Sequence, residues 1–153
     1  MDYSRQILVI GKEAQKKLED SKVAVIGVGA LGSLTSELLV RSGIKELILF
    51  DKDLIEESNL QRQHLFTLKD INKPKVKVAK ERLKEINPNV NVLDYYEELT
   101  YKNIDKIKAD LILDCTDNLH TRFLLNDFCV KNKINSIFSS GIENRGYVFS
   151  YTK

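Results

Sequence analysis

From Lys22 onward, apolar residues fall into two alternating rhythms. Lys22-Val23-Ala24-Val25-Ile26 is a short apolar run that ends at a glycine, as a buried strand does. Leu31, Leu34 and Leu38 then recur at i, i+3 and i+7, the spacing of a helix, and Gly43 stands where a helix C-cap is expected. A second run, Glu46-Leu47-Ile48-Leu49-Phe50, closes a βαβ unit and ends at Asp51. After a polar loop over 52–72, Pro74 opens a helix with Val76, Ala79, Leu83 and Ile86 on one face and basic residues on the other. Asn87-Pro88 stops it. Further strands are expected at 91–94, 111–114, 134–138 and 147–151, with a helix over 119–131. Such alternation predicts an α/β fold built on a doubly wound, mostly parallel sheet. The first twenty residues stand outside it: Ile7, Ile10, Ala14 and Leu18 at helical spacing predict one or two leading helices, packed on the sheet or on a partner.

Composition narrows the class of protein. The chain has 153 residues, 42% apolar and 30% charged, with 24 Lys+Arg against 22 Asp+Glu for a net charge of +2. That content suits one folded domain over 1–153, with leading helices over 1–20 and a core over 21–153, and excludes a disordered acidic or basic tail. Near-neutral charge argues against nucleic acid as the partner. The longest uncharged stretch, Val23 to Ser36, is shorter than the roughly 20 residues of a membrane helix and is interrupted by glycines, so no membrane span is expected. The N-terminus has mixed charge rather than the layout of a secretion signal, which makes the cytoplasm the expected location. Cys115 and Cys129 do not suggest a disulfide framework, and both read as small apolar side chains rather than nucleophiles. His64 and His120 lack the spacing of a zinc site.

Candidate chemistry lies at the strand ends. Gly27-Val28-Gly29-Ala30-Leu31-Gly32 follows a strand and opens a helix, and Asp51 ends the next strand about 20 residues on. Glycines there allow backbone N–H groups to approach phosphate, the helix N-terminus adds partial positive charge, and the acid accepts from ribose hydroxyls. This layout leaves NAD and ATP both open, since each presents a ribose and phosphates; a glycine-tolerant packing turn is the plainer alternative. Ser58-Asn59-Leu60-Gln61-Arg62-Gln63, with Lys73-Pro74-Lys75, is either a solvated loop and basic helix face or a donor set for a triphosphate. Asp114-Cys115-Thr116-Asp117-Asn118 ends another parallel strand. Its two carboxylates face a Mg2+ ion on one reading, with Asp117 sufficient beside a nucleotide; on the other, Asp117 or Thr116 caps the next helix.

Taken together, Arg5-Gln6-Ile7, the glycine motif, Asp51, Ser58 to Gln63, Lys73-Pro74-Lys75, Ile86-Asn87-Pro88 and Asp114 to Asn118 resemble, in order along the whole chain, the MoeB/ThiF/HesA family. These are relatives of the ubiquitin-like modifier activating enzymes. The resemblance implies a Rossmann-like core and ATP rather than NAD. The implied activity is that of an adenylyltransferase acting on the C-terminal glycine of a ubiquitin-like or sulfur-carrier protein. By motif, Gly27, Gly29, Ala30, Gly32 and Asn118 would line the nucleotide, Asp51 its ribose, Asn59, Arg62 and Lys75 the phosphates, and Asp117 the nucleotide and its Mg2+. Arg62, Lys75 and Arg5 are the implied catalytic residues, with Arg5 reaching the partner subunit's ATP in a homodimer. A tRNA-base-adenylating dehydratase and a non-catalytic ATP-binding interaction domain are the alternatives. Family members usually continue into a half with paired Cys-x-x-Cys motifs for zinc, so the resemblance implies a chain truncated before that half.

Overall fold

A computed structural model describes residues 1–153. Six strands form one sheet: β1 (Lys22–Ile26), β2 (Glu46–Phe50), β3 (Asn91–Tyr95), β4 (Leu111–Asp114), β5 (Asn135–Ile142) and β6 (Arg145–Tyr151). Their spatial order is β3-β2-β1-β4-β5-β6, parallel except for β6. Helices α1 (Ser4–Ile10) and α2 (Lys12–Asp20) lead, and α3 (Ala30–Ser42), α4 (Lys75–Ile86) and α5 (Leu119–Asn132) connect the strands. No helix is long and apolar enough to cross a membrane.

Apart from Lys22, Glu46 and Asp114 at their ends, β1, β2 and β4 are apolar throughout, because both faces of the sheet are covered. Val23, Val25, Leu47, Leu49 and Leu113 point to the face carrying α3 and α4, where Val40, Val76, Ala79 and Leu83 fill the core. Ala24, Ile26, Ile48, Phe50 and Ile112 point the other way, onto α5 and the 99–107 segment through Leu99, Ile107, Leu124, Leu125 and Cys129. Each fully buried side chain of this size contributes about 1.5–3 kcal/mol, so these two layers set the relative positions of the strand ends.

Three local outcomes differ from the reading of the sequence. The Leu31, Leu34, Leu38 stripe that marks α3 as a helix points outward, at 39, 50 and 55% exposure. The face of α3 laid on the sheet is instead Gly32, Ser33, Ser36 and Val40, because small residues let helix and strand approach closely. Strand β5 runs on to Ile142, past the expected end at 138, because β6 folds back on it through the turn at Glu143 (φ 54°) and supplies hydrogen-bond partners. The polar loop over 52–72 carries local structure that the spacing of its residues did not specify. Leu54 bridges Pro74, the Ile55 N–H donates to the Lys73 carbonyl at 2.9 Å, and 3-10 turns form at Glu57–Asn59 and Leu68–Asp70.

Candidate active site

In a doubly wound sheet the crossovers from β1 run to opposite sides, leaving a crevice beyond the carboxyl ends of the strands. Here the crevice is a cavity of about 660 Å³. Its walls come from the ends of β1, β2 and β4, the loop after β3, the Asn59–Gln63 segment, the start of α4 and the β5–β6 hairpin. Of the residues singled out in the sequence, Gly27, Gly29, Ala30, Asp51, Asn59, Arg62, Lys75, Asp117 and Asn118 line it together. Two do not. Arg5 sits exposed on α1, outside the cavity wall, and Gly32 is buried beneath it.

The glycine loop has two different requirements. Gly27 holds φ 88°, and a Cβ there would lie 2.9 Å from the Cys115 carbonyl oxygen. Gly32 is closed in more tightly, since a Cβ would fall 1.8 Å from the Gly27 carbonyl oxygen. Gly32 therefore permits the helix to start against the strand, and leaves the cavity-facing backbone to Gly27, Gly29 and Ala30. Asp51 braces the same turn: its Oδ2 accepts from the Val28 N–H at 2.6 Å and its Oδ1 from the Asp53 N–H at 2.8 Å. Burial nonetheless dominates and pushes the Asp51 carboxyl above the usual carboxylate range, against the lowering effect of those two N–H groups.

Lys75 is only 6% exposed at the first position of α4, and its Nζ is 3.0 Å from Asp53 Oδ2. Asp53 was not evident as a site residue in the sequence; its one signal is a position two residues beyond Asp51. Arg62 is exposed, its Nη1 donating to the Ser58 carbonyl at 2.9 Å. Asn59 is buried, with Oδ1 accepting from the Glu56 N–H at 3.2 Å as part of a capping box.

The β4 end corrects two expectations. Asp114 does not face a metal: it is 1% exposed, accepts from Arg122 Nε at 2.7 Å and from the Thr116 N–H and hydroxyl at 2.9 and 2.7 Å. The cap of α5 is neither Asp117 nor Thr116 but Asn118, whose Oδ1 accepts from the Thr121 N–H at 2.8 Å. This frees Asp117, which lines the cavity without a cation partner from the chain. Cys115 also lines the cavity, and burial raises its thiol pKa, which favours the neutral thiol.

Around the cavity, Asp51, Asp53, Glu97, Glu98, Asp117 and Glu143 outnumber Lys52, Arg62 and Lys75. Lys52 is paired with Glu98 at 2.8 Å. A polyanion entering this wall needs added positive charge, and a lone free carboxylate beside phosphate oxygens fits Mg2+, which takes one or two carboxylates and keeps several waters. No cluster of three His, Cys, Asp or Glu side chains offers an all-protein metal site.

Sheet order, crevice and glycine loop define a doubly wound α/β domain with its ligand cavity at the topological switch point. The ThiF family matches residues 3–153, and the chain belongs to that family. It is 40% identical over 154 residues to the sulfur carrier protein ThiS adenylyltransferase of Bacillus subtilis, covering 97% of this chain and 46% of that protein. It is 37% identical over 146 residues to the tRNA threonylcarbamoyladenosine dehydratase of the same organism, covering 94% of this chain and 58% of that one. The crystal structure of Escherichia coli MccB with ATP superposes with a TM-score of 0.84 at 31% identity, covering 93% of this chain and 45% of the other. The chain thus spans about half the length of these relatives.

Proposed function

We propose that this chain binds ATP with Mg2+ and adenylates the C-terminal carboxylate of a small ubiquitin-like or sulfur-carrier protein, releasing pyrophosphate. The observation that carries this reading is the convergence of Asp51, Asn59, Arg62, Lys75 and Asp117, from separate stretches of chain, on one cavity with the glycine loop. The ATP held by MccB and the activity for which the Bacillus subtilis adenylyltransferase is named support it.

The chemistry matches the residues. A C-terminal carboxylate is ionised at neutral pH and needs no general base. It attacks the α-phosphorus, a carboxylate O–P bond forms, and the bond from that phosphorus to pyrophosphate breaks with the electron pair leaving on pyrophosphate. The protein's work is alignment and charge stabilisation. Asp51 accepts from the ribose hydroxyls, and the N–H groups at the start of α3 face the phosphates. Lys75 exchanges Asp53 for phosphate oxygens, while Arg62 turns from the Ser58 carbonyl to the departing pyrophosphate. Mg2+ held by Asp117 would offset the surplus negative charge.

Arg5 completes the set from a second copy. Helix α1 is pinned to the C-terminal end of α3 by Gln6 Nε2, which donates to the Ser42 carbonyl at 3.1 Å. Exposed Leu8 and Val9 on α1 and the Leu31, Leu34, Leu38 stripe on α3 are apolar surface suited to a symmetric homodimer. Two free thiols suit a reducing compartment, and we assign the cytoplasm.

Calorimetric titration with Mg-ATP tests the reading. Saturable binding is expected, weakened about tenfold or more by Arg62→Ala, with little change in Tm because Arg62 is exposed. No binding by the folded wild-type chain refutes it. The tRNA dehydratase relative favours a second reading, in which the adenylated group is a modified tRNA base. Pyrophosphate exchange driven by tRNA, and not by a carrier with a free C-terminal glycine, decides for that alternative.

A further inference from the structure

The two edges of the sheet are built differently. At one edge β3 is five residues long and turns a charged side chain inward, Asp94, held between Lys77 and Lys80 of α4. Short length and an inward charge both discourage a further strand from adding to an edge. At the other edge β6 has neither guard. It runs seven residues, contains no proline, carries one charge, Arg145 at its first position, and is exposed at six of its seven positions. Val148 on one face is 75% exposed, and Tyr147 and Phe149 on the other are 52 and 53% exposed. Such an edge offers unpaired N–H and C=O groups between two apolar faces, which is a template for another strand.

The order of residues along β6 is self-complementary. Turned antiparallel to itself about Val148, the strand sets Tyr147 opposite Phe149, Gly146 opposite Ser150 and Arg145 opposite Tyr151. The same register carried past the strand ends sets Glu143 toward Lys153. No like charges meet, an aromatic pair flanks the axis, and a cation faces an aromatic ring; each such cross-strand pair is favourable. Tyr147 and Phe149 share the face of Phe138, on which Phe149 already stacks with ring centroids 5.0 Å apart, so the Tyr147 of a second copy continues an aromatic row. Other registers lose this match. Moving the axis to Phe149 sets Arg145 opposite Lys153, moving it to Tyr147 leaves Lys153 opposite Gly141, and an axis between residues sets the Tyr147 face against the Val148 face.

We propose that β6 is a self-association edge, at which two copies of this chain pair their β6 strands antiparallel about Val148 and join two six-stranded sheets into one. The edge is separate from α1 and from the leucine stripe of α3, which packs over β1 and β2, so both surfaces can be occupied at once and the assembly is a pair of homodimers. Glu143 lines the cavity, and its pairing brings Lys153 of the partner subunit to a rim that carries surplus negative charge.

Sedimentation velocity and light scattering without nucleotide test the pairing, so the outcome does not depend on the adenylation reading. Val148→Lys sets two lysines face to face on the axis, and Tm is expected to change little because Val148 is exposed. The mass is expected to halve in this variant, and to halve again when Leu34→Asp is added to it. Glu143→Lys and Lys153→Glu each put like charges together and are expected to weaken the β6 pair about fivefold, since the two-fold axis counts each contact twice. The double exchange is expected to restore it, and this comparison decides the matter even if Val148→Lys fails to fold. Equal masses for the wild type and a folded Val148→Lys chain overturn the proposal. So does a double exchange that associates no more tightly than the single ones, or a Leu34→Asp chain that is already monomeric.

Discussion

Asp51 shows how one side chain serves the fold and the site together. Its two N–H partners fix the carboxylate at the cavity, and its burial raises its affinity for a proton above that of an unfolded aspartate. The folded chain therefore takes up this proton first as pH falls, and ionising it as pH rises through the folded pKa costs stability. Ribose recognition needs the ionised form, so Mg-ATP affinity is expected to decline on acidification at a higher pH than an ordinary carboxylate would allow. Titrations between about pH 8 and 5 check this. Asp51→Asn is expected to bind weakly with a flatter profile, and an equally steep decline in that variant would falsify the role. That Asp51 stands at the cavity was legible in the sequence because it ends a strand after the glycine turn, whereas Arg62 and Lys75 were singled out through the family resemblance; all three line the cavity. Asp53 and Arg122 were not legible, since their roles depend on what faces them across the fold.

At the scale of elements, α3 carries the clearest reversal. Its leucine spacing correctly marks a helix, yet the sheet accepts the side built from Gly32, Ser33 and Ser36 and leaves the leucines in water. Periodicity reports that a helix has an apolar stripe; it does not report whether the sheet or another chain covers it. If the homodimer buries this stripe, Leu34→Asp is expected to halve the mass seen by light scattering in a chain that stays folded, with weaker adenylation because Arg5 no longer reaches the neighbouring site. A wild-type chain that is monomeric at high concentration refutes that assignment. The two leading helices were readable as helices, and only their contacts settle their seat. Tyr3 lies over Gly43, its hydroxyl accepting from Asn87 Nδ2 at 3.0 Å, and so ties the N-terminus to the ends of α3 and α4.

For the molecule as a whole, Arg122 is the knot beneath the cavity floor. From α5 it donates to Asp114 of β4 at 2.7 Å, to the Thr116 carbonyl at 3.1 Å and to the Ser139 carbonyl of β5 at 2.8 Å. Arg122→Ala leaves the buried Asp114 carboxylate without its cation, and a loss of about 3–5 kcal/mol is expected in denaturant unfolding. A loss within about 0.5 kcal/mol, the range of ordinary surface changes, removes Arg122 from that role. By itself the sequence determined the alternation of strands and helices, the parallel α/β class, the glycine turn and the donor motifs, because all of these are written in local spacing and residue type. Tertiary structure alone decided which face of α3 is buried, that Asp114 is a structural counter-ion while Asp117 stays free, and that β6 is left as an exposed edge. The physical reason is that burial, pairing and an uncovered edge are relations between residues far apart in the chain, and they come into being only when the strands are set side by side.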